Sequence, residues 1–205
     1  VPEAIRCRND ILARLERASL EPDADKRRRL LSFAIIGGGP AGVEIAGAIG
    51  EMKRYILRRE YPGINIDDVS VTLIEGTGRL LQAMGEQSSA HALEYMGHLM
   101  VDVRLNALVK SYEDNTITFT DGTQMYSEMV IWTAGVKGIP FTFVGTQPQI
   151  ARGGRFEVDE FNRVSGLQDV YAIGDIASHS DERYPHGCPQ VAQVAIQQGI
   201  NLAHN

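Results

Sequence analysis

Residues 33–42 read Phe-Ala-Ile-Ile-Gly-Gly-Gly-Pro-Ala-Gly, a short apolar run that leads straight into closely spaced glycines. The apolar run predicts a buried strand, and residues 40–58 read as the helix that follows it. In that order Gly37 permits a tight turn, Gly39 lets a pyrophosphate approach the backbone, and Gly42 brings the helix close to the strand. The unpaired N–H groups of the first helical turn would face the phosphates. The stretch therefore predicts a dinucleotide site, with a purely structural turn as the alternative.

The composition of the 205 residues, 43% hydrophobic and 22% charged, is that of a soluble globular protein with one or two domains. A net charge of -6 argues against a nucleic-acid partner, and the short basic run at 26–29 favours a solvated helix end over a binding patch. No apolar run approaches the roughly 20 residues of a membrane span, and no signal peptide is recognisable. Cys7 and Cys188 show no pairing pattern, so a reducing, cytoplasmic location is expected.

Glu75 ends the next predicted strand, residues 69–74, which forms a right-handed βαβ unit with the strand at 32–36. An acid in this position can accept hydrogen bonds from the adenosine ribose hydroxyls, and it would repel a 2′-phosphate, so NAD(H) is favoured over NADP(H). The gap from the glycines exceeds the usual ~20 residues, which leaves an exposed loop acid as the alternative. Arg79, four residues further on, can contact a phosphate, so NADPH stays an alternative cofactor.

Glu44 follows the last glycine of the motif by two residues and is predicted to lie on the first turn of the helix. Two interpretations are equally supported. The carboxylate either compensates the helix dipole, an effect of about 0.3–1 kcal/mol, or contacts the nicotinamide half of the cofactor.

The remaining elements of the first 140 residues define the fold class. They are an amphipathic helix over 2–20, a helix over 86–98, a strand over 101–104, β-prone runs at 107–112, 116–120 and 124–132, and a buried strand over 129–133. The turn signals between the β-prone runs, Glu113-Asp114-Asn115 and Asp121-Gly122, indicate a β-meander. We therefore predict an α/β protein with a Rossmann-like NAD(P)-binding domain of three-layer β/β/α character, a parallel sheet plus a β-meander.

A second strand-to-loop site follows later in the chain, where a predicted strand at 170–173 leads into Gly174-Asp175. Gly174 would permit close approach of a ligand, and Asp175 could bind a sugar-like hydroxyl. A helix is predicted to run from about Pro189 to the end of the chain. Aimed at a flavin, its N-terminus would stabilise negative charge on the reduced ring. A further short strand is predicted at 156–159.

Metal binding is poorly supported by the sequence. His179, His186 and Cys188 are close together but fit no zinc spacing, so we predict no metal site. His91 and His98 read as surface residues of a helix.

Five stretches together resemble the type II NADH:quinone oxidoreductases, which are single-subunit, non-proton-pumping NADH dehydrogenases of the two-dinucleotide-binding-domain flavoprotein superfamily. The stretches are residues 37–47, 71–75, 132–136, 171–175 and 192–199. The glycine motif and Gly174-Asp175 are common to the superfamily, whereas Ala-Gln-Val-Ala-Ile-Gln-Gln points to the type II enzymes. The resemblance implies hydride transfer from NADH to FAD and then reduction of quinone in a respiratory chain.

The resemblance also implies roles for individual residues. The NADH site would comprise Gly37, Gly38, Gly39, Pro40, Ala41, Gly42, Glu44 and Glu75, with Ala134 and Gly135 closing the nicotinamide side. Gly174 and Asp175 would hold the ribityl-pyrophosphate region of FAD. Gln193 and Ile196 would lie beside the isoalloxazine ring where quinone approaches, so the residues closest to the chemistry would be Glu44, Gln193 and Ile196.

The chain also departs from this family, because the glycine fingerprint that binds the FAD adenosine diphosphate is absent. The region that docks these enzymes on the inner face of the membrane and commonly forms homodimers is absent too. We therefore expect a fragment: residues 1–30 as a helical connection from the FAD domain, 31–141 as the NADH-binding domain, and 142–205 as the second half of a discontinuous FAD-binding domain. Such a fragment would bind NADH weakly, retain no FAD and be inactive by itself.

Two other interpretations stay open. A sulfide:quinone reductase would use separated cysteines, for which Cys7 and Cys188 are the candidates. The second is a binding module that senses NADH without turnover.

Overall fold

The computed structural model describes residues 2–139, 141 and 143–204. The chain divides into two compact units, and the division falls between Ala134 and Gly135. The first unit contains α1 (Pro2–Leu20), α2 (Ala24–Leu30), β1 (Ser32–Ile36), α3 (Pro40–Glu51), a π-helical segment (Met52–Ile56), α4 (Leu57–Glu60), β2 (Ser70–Ile74), α5 (Glu86–His98), β3 (Asp102–Arg104), β4 (Val109–Glu113), β5 (Thr116–Phe119), β6 (Gln124–Tyr126) and β7 (Met129–Trp132). The second contains β8 (Ile150–Ala151), β9 (Arg155–Glu157), β10 (Ala177–Ser178) and α6 (Ala192–His204).

A four-stranded parallel sheet, in the order β3-β2-β1-β7, is the centre of the first unit. All five residues of β1 are buried, as expected for a central strand covered on both faces. On one face Phe33 and Ile35 pack with Leu15 of α1 and Ile49 of α3. The opposite face buries Ala34, Ile36 and Ile74 against Ile117 and Phe119 of the antiparallel sheet β4-β5-β6. This arrangement confirms the three-layer α/β fold that the sequence predicts.

The β-meander forms at the predicted turns. Asp114 and Asn115 connect β4 to β5, and both adopt positive φ angles, of 47° and 59°. That conformation matches the twist of a tight hairpin and suits Asp and Asn. Between β6 and β7 the chain moves from the meander to the parallel sheet at Ser127, whose buried hydroxyl lies 2.9 Å from the Met129 carbonyl oxygen and 3.2 Å from that of Ser32.

The helix predicted over 40–58 is not uniformly α-helical. It changes to a π-helical turn at 52–56 and returns to α-helix up to Glu60. The π-helical turn contains Lys53, which is buried. Burial lowers the pKa of the Lys53 amine, and the charge of Asp67 opposes that shift. A π turn differs from an α turn by one step in hydrogen-bond register, which the apolar spacing of the sequence does not record.

The basic run at 26–29 lies within a separate short helix, α2, rather than in a continuation of α1. Asp23 caps this helix by accepting hydrogen bonds from the N–H groups of Asp25 at 2.9 Å and Lys26 at 3.2 Å. Arg27 pairs with Asp68 at 2.8 Å. The run is therefore the basic last turn of a helix, in agreement with the prediction of a helix end.

In the second unit, a three-stranded sheet has the order β10-β9-β8. The prediction of a strand at 170–173 is wrong, because in this stretch Tyr171 forms an isolated β-bridge with Arg163 and no strand. The strand β10 begins later, at Ala177. The final helix begins at Ala192 rather than near Pro189. Before it, the Val191 N–H donates to the Pro189 carbonyl two residues back, at 3.1 Å, which is a turn and not a helical bond, and the Gln190 side-chain amide donates to the Asp175 carbonyl oxygen at 2.9 Å.

Candidate functional site

The glycine turn after β1 has the geometry that its motif predicts. Gly37 has φ +114°, and its N–H donates to the Ile74 carbonyl at 2.8 Å. A Cβ atom on Gly42 would overlap the Gly37 carbonyl oxygen, so a side chain there would separate the helix from the turn. A Cβ on Gly39, in contrast, would meet nothing within 4 Å. Gly39 is the N-cap of α3 and Pro40 follows as the first helical residue.

Thr133 and Leu81 fix this turn from the outside, and the sequence reasoning missed both. The Thr133 hydroxyl lies 2.9 Å from the Ile36 carbonyl oxygen and 3.1 Å from that of Gly37, and it donates to this pair. The Leu81 N–H donates to the Gly38 carbonyl at 2.8 Å. In the sequence, Thr133 appeared as the last residue of the predicted strand over 129–133 and within the stretch 132–136, with no role of its own. The structure pairs that strand, β7, with β1 and so brings Thr133 to the turn.

Glu75 lies against the glycine turn. One of its carboxylate oxygens accepts from the Gly38 N–H at 2.6 Å, and the other accepts from the Thr77 N–H at 2.8 Å. The side chain is half-buried, so it is not the exposed loop acid of the alternative interpretation. Each carboxylate oxygen has a second lone pair, which leaves the group capacity to accept from a ligand hydroxyl.

Arg79 follows in the same loop and is half-buried. Its Nη2 donates to the Gln82 carbonyl at 2.9 Å, while Nη1 is buried without a partner among the residues that the structure describes. Leu80, the next residue, is buried and packs into the core behind the turn.

Glu44 is the fifth residue of α3 and is exposed, and the first turn of that helix contains no acidic residue. Its predicted place on the first turn is therefore wrong. The helix begins at Pro40, as predicted, so its first turn ends at Val43 and Glu44 lies at the start of the second turn. Because the dipole effect falls off within the first turn, dipole compensation no longer accounts for Glu44. A contact with the nicotinamide half stays a prediction.

In the second unit, Gly174 and Asp175 form a short 3-10 turn before β10. Gly174 has φ +72°, and its N–H donates to Oε1 of the buried Gln198 at 2.7 Å. The Asp175 side chain is exposed. It borders a cavity of about 530 Å³ that is lined mainly by apolar and aromatic side chains, among them Phe156 and Tyr171.

Gln193 and Ile196 lie on the exposed side of α6. Gln193 borders a second cavity, of about 480 Å³, whose lining is rich in carboxamides, among them Asn162 and Gln197. Of the two residues predicted to close the nicotinamide side, Ala134 is half-buried at the end of the first unit, and Gly135 has φ +82° at the start of the second.

Arg155 is a buried cation in the second unit that the sequence reasoning did not single out. Its guanidinium donates through Nε to the Ala177 carbonyl at 3.0 Å and through Nη2 to the Cys188 carbonyl at 2.8 Å. Burial lowers the pKa of the guanidinium, and the neighbouring Cys188 and Asp175 shift it in the opposite direction. The guanidinium remains charged. It therefore joins β10 to the segment that leads into α6.

Both cysteines are free and half-buried. Burial, followed by the nearby Asp10, raises the pKa of the Cys7 thiol, and burial, followed by Asp181, raises that of Cys188. Neither environment favours a thiolate. Within residues 2–139, 141 and 143–204, no group of three His, Cys, Asp or Glu side chains is arranged to hold a metal ion. In the same residues no helix combines the length and apolarity that a membrane crossing needs.

The parallel sheet, the glycine turn and the acid at the end of β2 define the class as an α/β protein with a dinucleotide-binding fold. The family model described as pyridine nucleotide-disulphide oxidoreductase matches residues 7–199, and the chain belongs to that family.

Within that family, the chain is similar to curated NADH:quinone oxidoreductases. The chain is 30% identical to the type II NADH:quinone oxidoreductase Ndh of Mycobacterium tuberculosis, over 96% of this chain and 43% of the relative. It is 31% identical to the internal alternative NAD(P)H-ubiquinone oxidoreductase A1 of Arabidopsis thaliana mitochondria, over 88% of this chain and 34% of the relative. These relatives confirm the resemblance to type II NADH:quinone oxidoreductases. The chain spans less than half the length of either relative.

Among solved structures, that of NDH2 from Plasmodium falciparum in complex with NADH is similar to this chain with a TM-score of 0.72 and 24% sequence identity. The similarity covers 88% of this chain and 38% of the other. At this level of identity the match supports the fold.

Proposed function

We propose that this chain forms the NADH-binding part, and a portion of the FAD-binding part, of an NADH:quinone oxidoreductase. The relatives named above support this assignment by their names. The observation that carries it is the position of Glu75, whose carboxylate is bonded to the Gly38 N–H at 2.6 Å in the glycine turn. An acid there can accept from ribose hydroxyls and disfavours a 2′-phosphate.

The residues around the glycine turn fit a dinucleotide. The open space at Gly39 would admit the pyrophosphate against the N-terminus of α3, where the N–H groups and the positive end of the helix dipole favour an anion. Gly37, Gly38, Pro40, Ala41 and Gly42 would shape this turn. Ala134 and Gly135 would close the nicotinamide side, and Glu44 would contact that half of the cofactor.

The turn at Gly174 and Asp175 fits a portion of FAD. Gly174 has a left-handed backbone conformation and the Asp175 side chain is exposed. A polar ligand could therefore approach the backbone and hydrogen-bond to the carboxylate. When bound, FAD would supply the two-electron chemistry between NADH and quinone. Gln193 and Ile196, both exposed on α6, would border the approach of the quinone.

The same proposal assigns residues 1–30 to a helical connection from the FAD domain, 31–141 to the NADH-binding domain and 142–205 to the second half of the FAD-binding domain. It places the full protein peripherally on the inner face of a membrane, with homodimer formation. We further propose that the 205 residues retain no FAD and have no quinone reductase activity by themselves, because they carry a single glycine fingerprint.

A sulfide:quinone reductase is less well supported. That chemistry needs reactive thiolates, whereas burial raises the pKa of both Cys7 and Cys188. An NADH-binding module without turnover shares the glycine turn with the main proposal, and steady-state NADH oxidation by the full gene product separates the two.

The decisive experiment titrates the purified chain with NADH and with NADPH by nucleotide fluorescence, and records its visible absorbance. We expect saturable NADH binding and no flavin absorbance. NADPH should bind at least about tenfold more weakly, because the Glu75 carboxylate repels the 2′-phosphate. The full gene product should show flavin absorbance and oxidise NADH with a soluble quinone. Equal affinity for both nucleotides, or no NADH binding, would overturn the assignment.

A further inference from the structure

Gln198 is the one glutamine of α6 whose side chain is buried, with 9% exposure. Its Oε1 accepts a hydrogen bond from the Gly174 N–H at 2.7 Å. The two residues are 24 positions apart in the sequence, so this bond joins the last helix to the turn that precedes β10.

The side of α6 that faces the turn carries small residues, which let the helix pack close to the turn. A Cβ atom on Gly174 would lie 3.5 Å from the Ala195 side chain, and one on Gly199 would lie 3.9 Å from the Ile173 side chain. Ala195, Gln198 and Gly199 recur with helical spacing, so small residues flank the glutamine on one face of the helix. The amide of Gln198 is thus the polar group in an otherwise closely packed contact.

Gln198 is held in place in turn. Asn162, which is 3% exposed, donates through Nδ2 to the main-chain carbonyl of Gln198 at 3.3 Å, and the main-chain carbonyl of Asn162 accepts from the Ala172 N–H at 3.0 Å. A second glutamine acts on the other end of the turn, where Gln190 donates to the Asp175 carbonyl at 2.9 Å. Two carboxamides from one segment therefore fix two consecutive residues of the turn.

We propose that Gln198 is a positioning residue that fixes the Gly174–Asp175 turn, and thereby the Asp175 carboxylate, in the orientation in which it receives the flavin; this rests on the proposed function. Gly174 has φ +72°, a conformation that a free glycine exchanges readily for others. Gly174 is half-buried, and the bond partner of its N–H is a side chain rather than a neighbouring strand. Without it the turn would lose its single defined conformation.

The test compares Gln198→Met, which keeps the side-chain length without the amide, with Gln198→Glu, which keeps an acceptor oxygen. Gln197→Met on the exposed neighbouring residue is the matched control. Hydrogen exchange of the Gly174 amide is measured by NMR in the 205-residue chain. We expect exchange to accelerate about tenfold or more in Gln198→Met and to stay slow in Gln198→Glu and in the control.

The second readout is the affinity for FAD and the visible circular dichroism of the bound flavin, measured in the full gene product. Gln198→Met should weaken FAD binding about tenfold and change the dichroism, while Gln198→Glu stays closer to the wild type. NADH affinity should not change in any variant, because the glycine turn belongs to the other unit. Should Gln198→Met fail to fold, Gln198→Asn, which is too short to reach Gly174, takes its place with the same expectations.

The role of Gln198 is overturned if the Gly174 amide exchanges at an unchanged rate in Gln198→Met. It is also overturned if that exchange accelerates while the affinity for FAD stays unchanged. Equal loss of FAD in the Met and Glu variants overturns it as well. The failure of the proposed function is seen separately, because then the wild-type full gene product itself holds no FAD.

Discussion

Glu75 has a structural role in the free protein and, in our proposal, a second role in nucleotide binding, and a sequence motif cannot distinguish the two. Its carboxylate already holds the N–H groups of Gly38 and Thr77. A ribose would therefore meet an acceptor that is fixed beforehand. Preorganisation of this kind reduces the entropic cost of binding.

We expect Glu75→Gln to weaken NADH binding about tenfold and to reduce the preference for NADH over NADPH. The amide keeps one acceptor but loses the charge that repels a 2′-phosphate, and its NH2 group opposes one of the two backbone N–H donors. Nucleotide titrations at fixed ionic strength measure both effects. Glu113→Gln, which removes an exposed acid from the meander, is the control and should change neither affinity. An unaltered nucleotide preference would contradict the assigned role.

The glycines of the turn should separate stability from binding. Gly42→Ala should lower the melting temperature strongly, because its Cβ would overlap the Gly37 carbonyl oxygen. Gly39→Ala should leave the melting temperature nearly unchanged and weaken NADH binding, because its Cβ enters open space where the pyrophosphate is proposed to lie.

Thermal unfolding and NADH titration measure these two effects. Gly97→Ala, at an exposed helical position with nothing within 4 Å of the added Cβ, is the control. It should stabilise the chain by up to about 1 kcal/mol, as expected for alanine in place of glycine in a helix. Full NADH affinity in Gly39→Ala would argue against a pyrophosphate at this turn.

At the scale of elements, α2 depends on its cap. Hydrogen bonds from the backbone N–H groups of Lys26 and Asp25 lower the pKa of Asp23. Since the folded pKa lies below the unfolded one, the stabilisation is complete above the ordinary aspartate value of about 3.9 and is lost as the pH falls through the lowered value.

We therefore expect Asp23→Ala to lower the melting temperature at pH 7, where Asp23→Asn should have a small effect because asparagine is also a good N-cap. At about pH 3 the wild type should lose part of its advantage over Asp23→Asn, whose cap does not titrate. Melting curves at the two pH values give the comparison. An unchanged difference between these proteins would mean that the cap bond does not survive in solution.

Elements with clear periodicity or strong breakers were predictable, and those that depend on distant partners were not. The helices at 2–20 and 86–98 and the strand at 32–36 have the predicted bounds because each has its apolar pattern and its stop signal within its own sequence. The strand β10 was missed, because two residues become a strand only where they meet Phe156 and Glu157.

The candidate site shows the same division. The glycine turn and Glu75 could be found from local order, since the residues lie at the ends of consecutive strands. Thr133 contacts the turn from 96 residues away, and Gln198 reaches Gly174 across 24 residues. Such long-range polar contacts leave no spacing rule in the sequence.

At the scale of the whole molecule, the cysteines distinguish the proposed reaction from a thiol-dependent one. Cys7 belongs to the first unit and Cys188 to the second, and both thiols have raised pKa values. We expect the double variant Cys7→Ser, Cys188→Ser of the full gene product to retain NADH oxidation with a soluble quinone within about twofold, since neither thiol is activated. A large loss of turnover with intact flavin content would favour a sulfide:quinone reductase mechanism.

The tight turn at Asp114 and Asn115 has a practical consequence. The Asn115 carbonyl accepts from the Ser127 N–H at 2.9 Å, and Ser127 in turn contacts the Ser32 carbonyl, so this turn lies near the beginning of β1. The glycine turn follows the end of that strand, roughly 16 Å away for five residues at about 3.3 Å each. A surface tether attached at the exposed Asp114 would therefore immobilise the protein, and a fluorophore there would label it, while the proposed nucleotide site stays accessible.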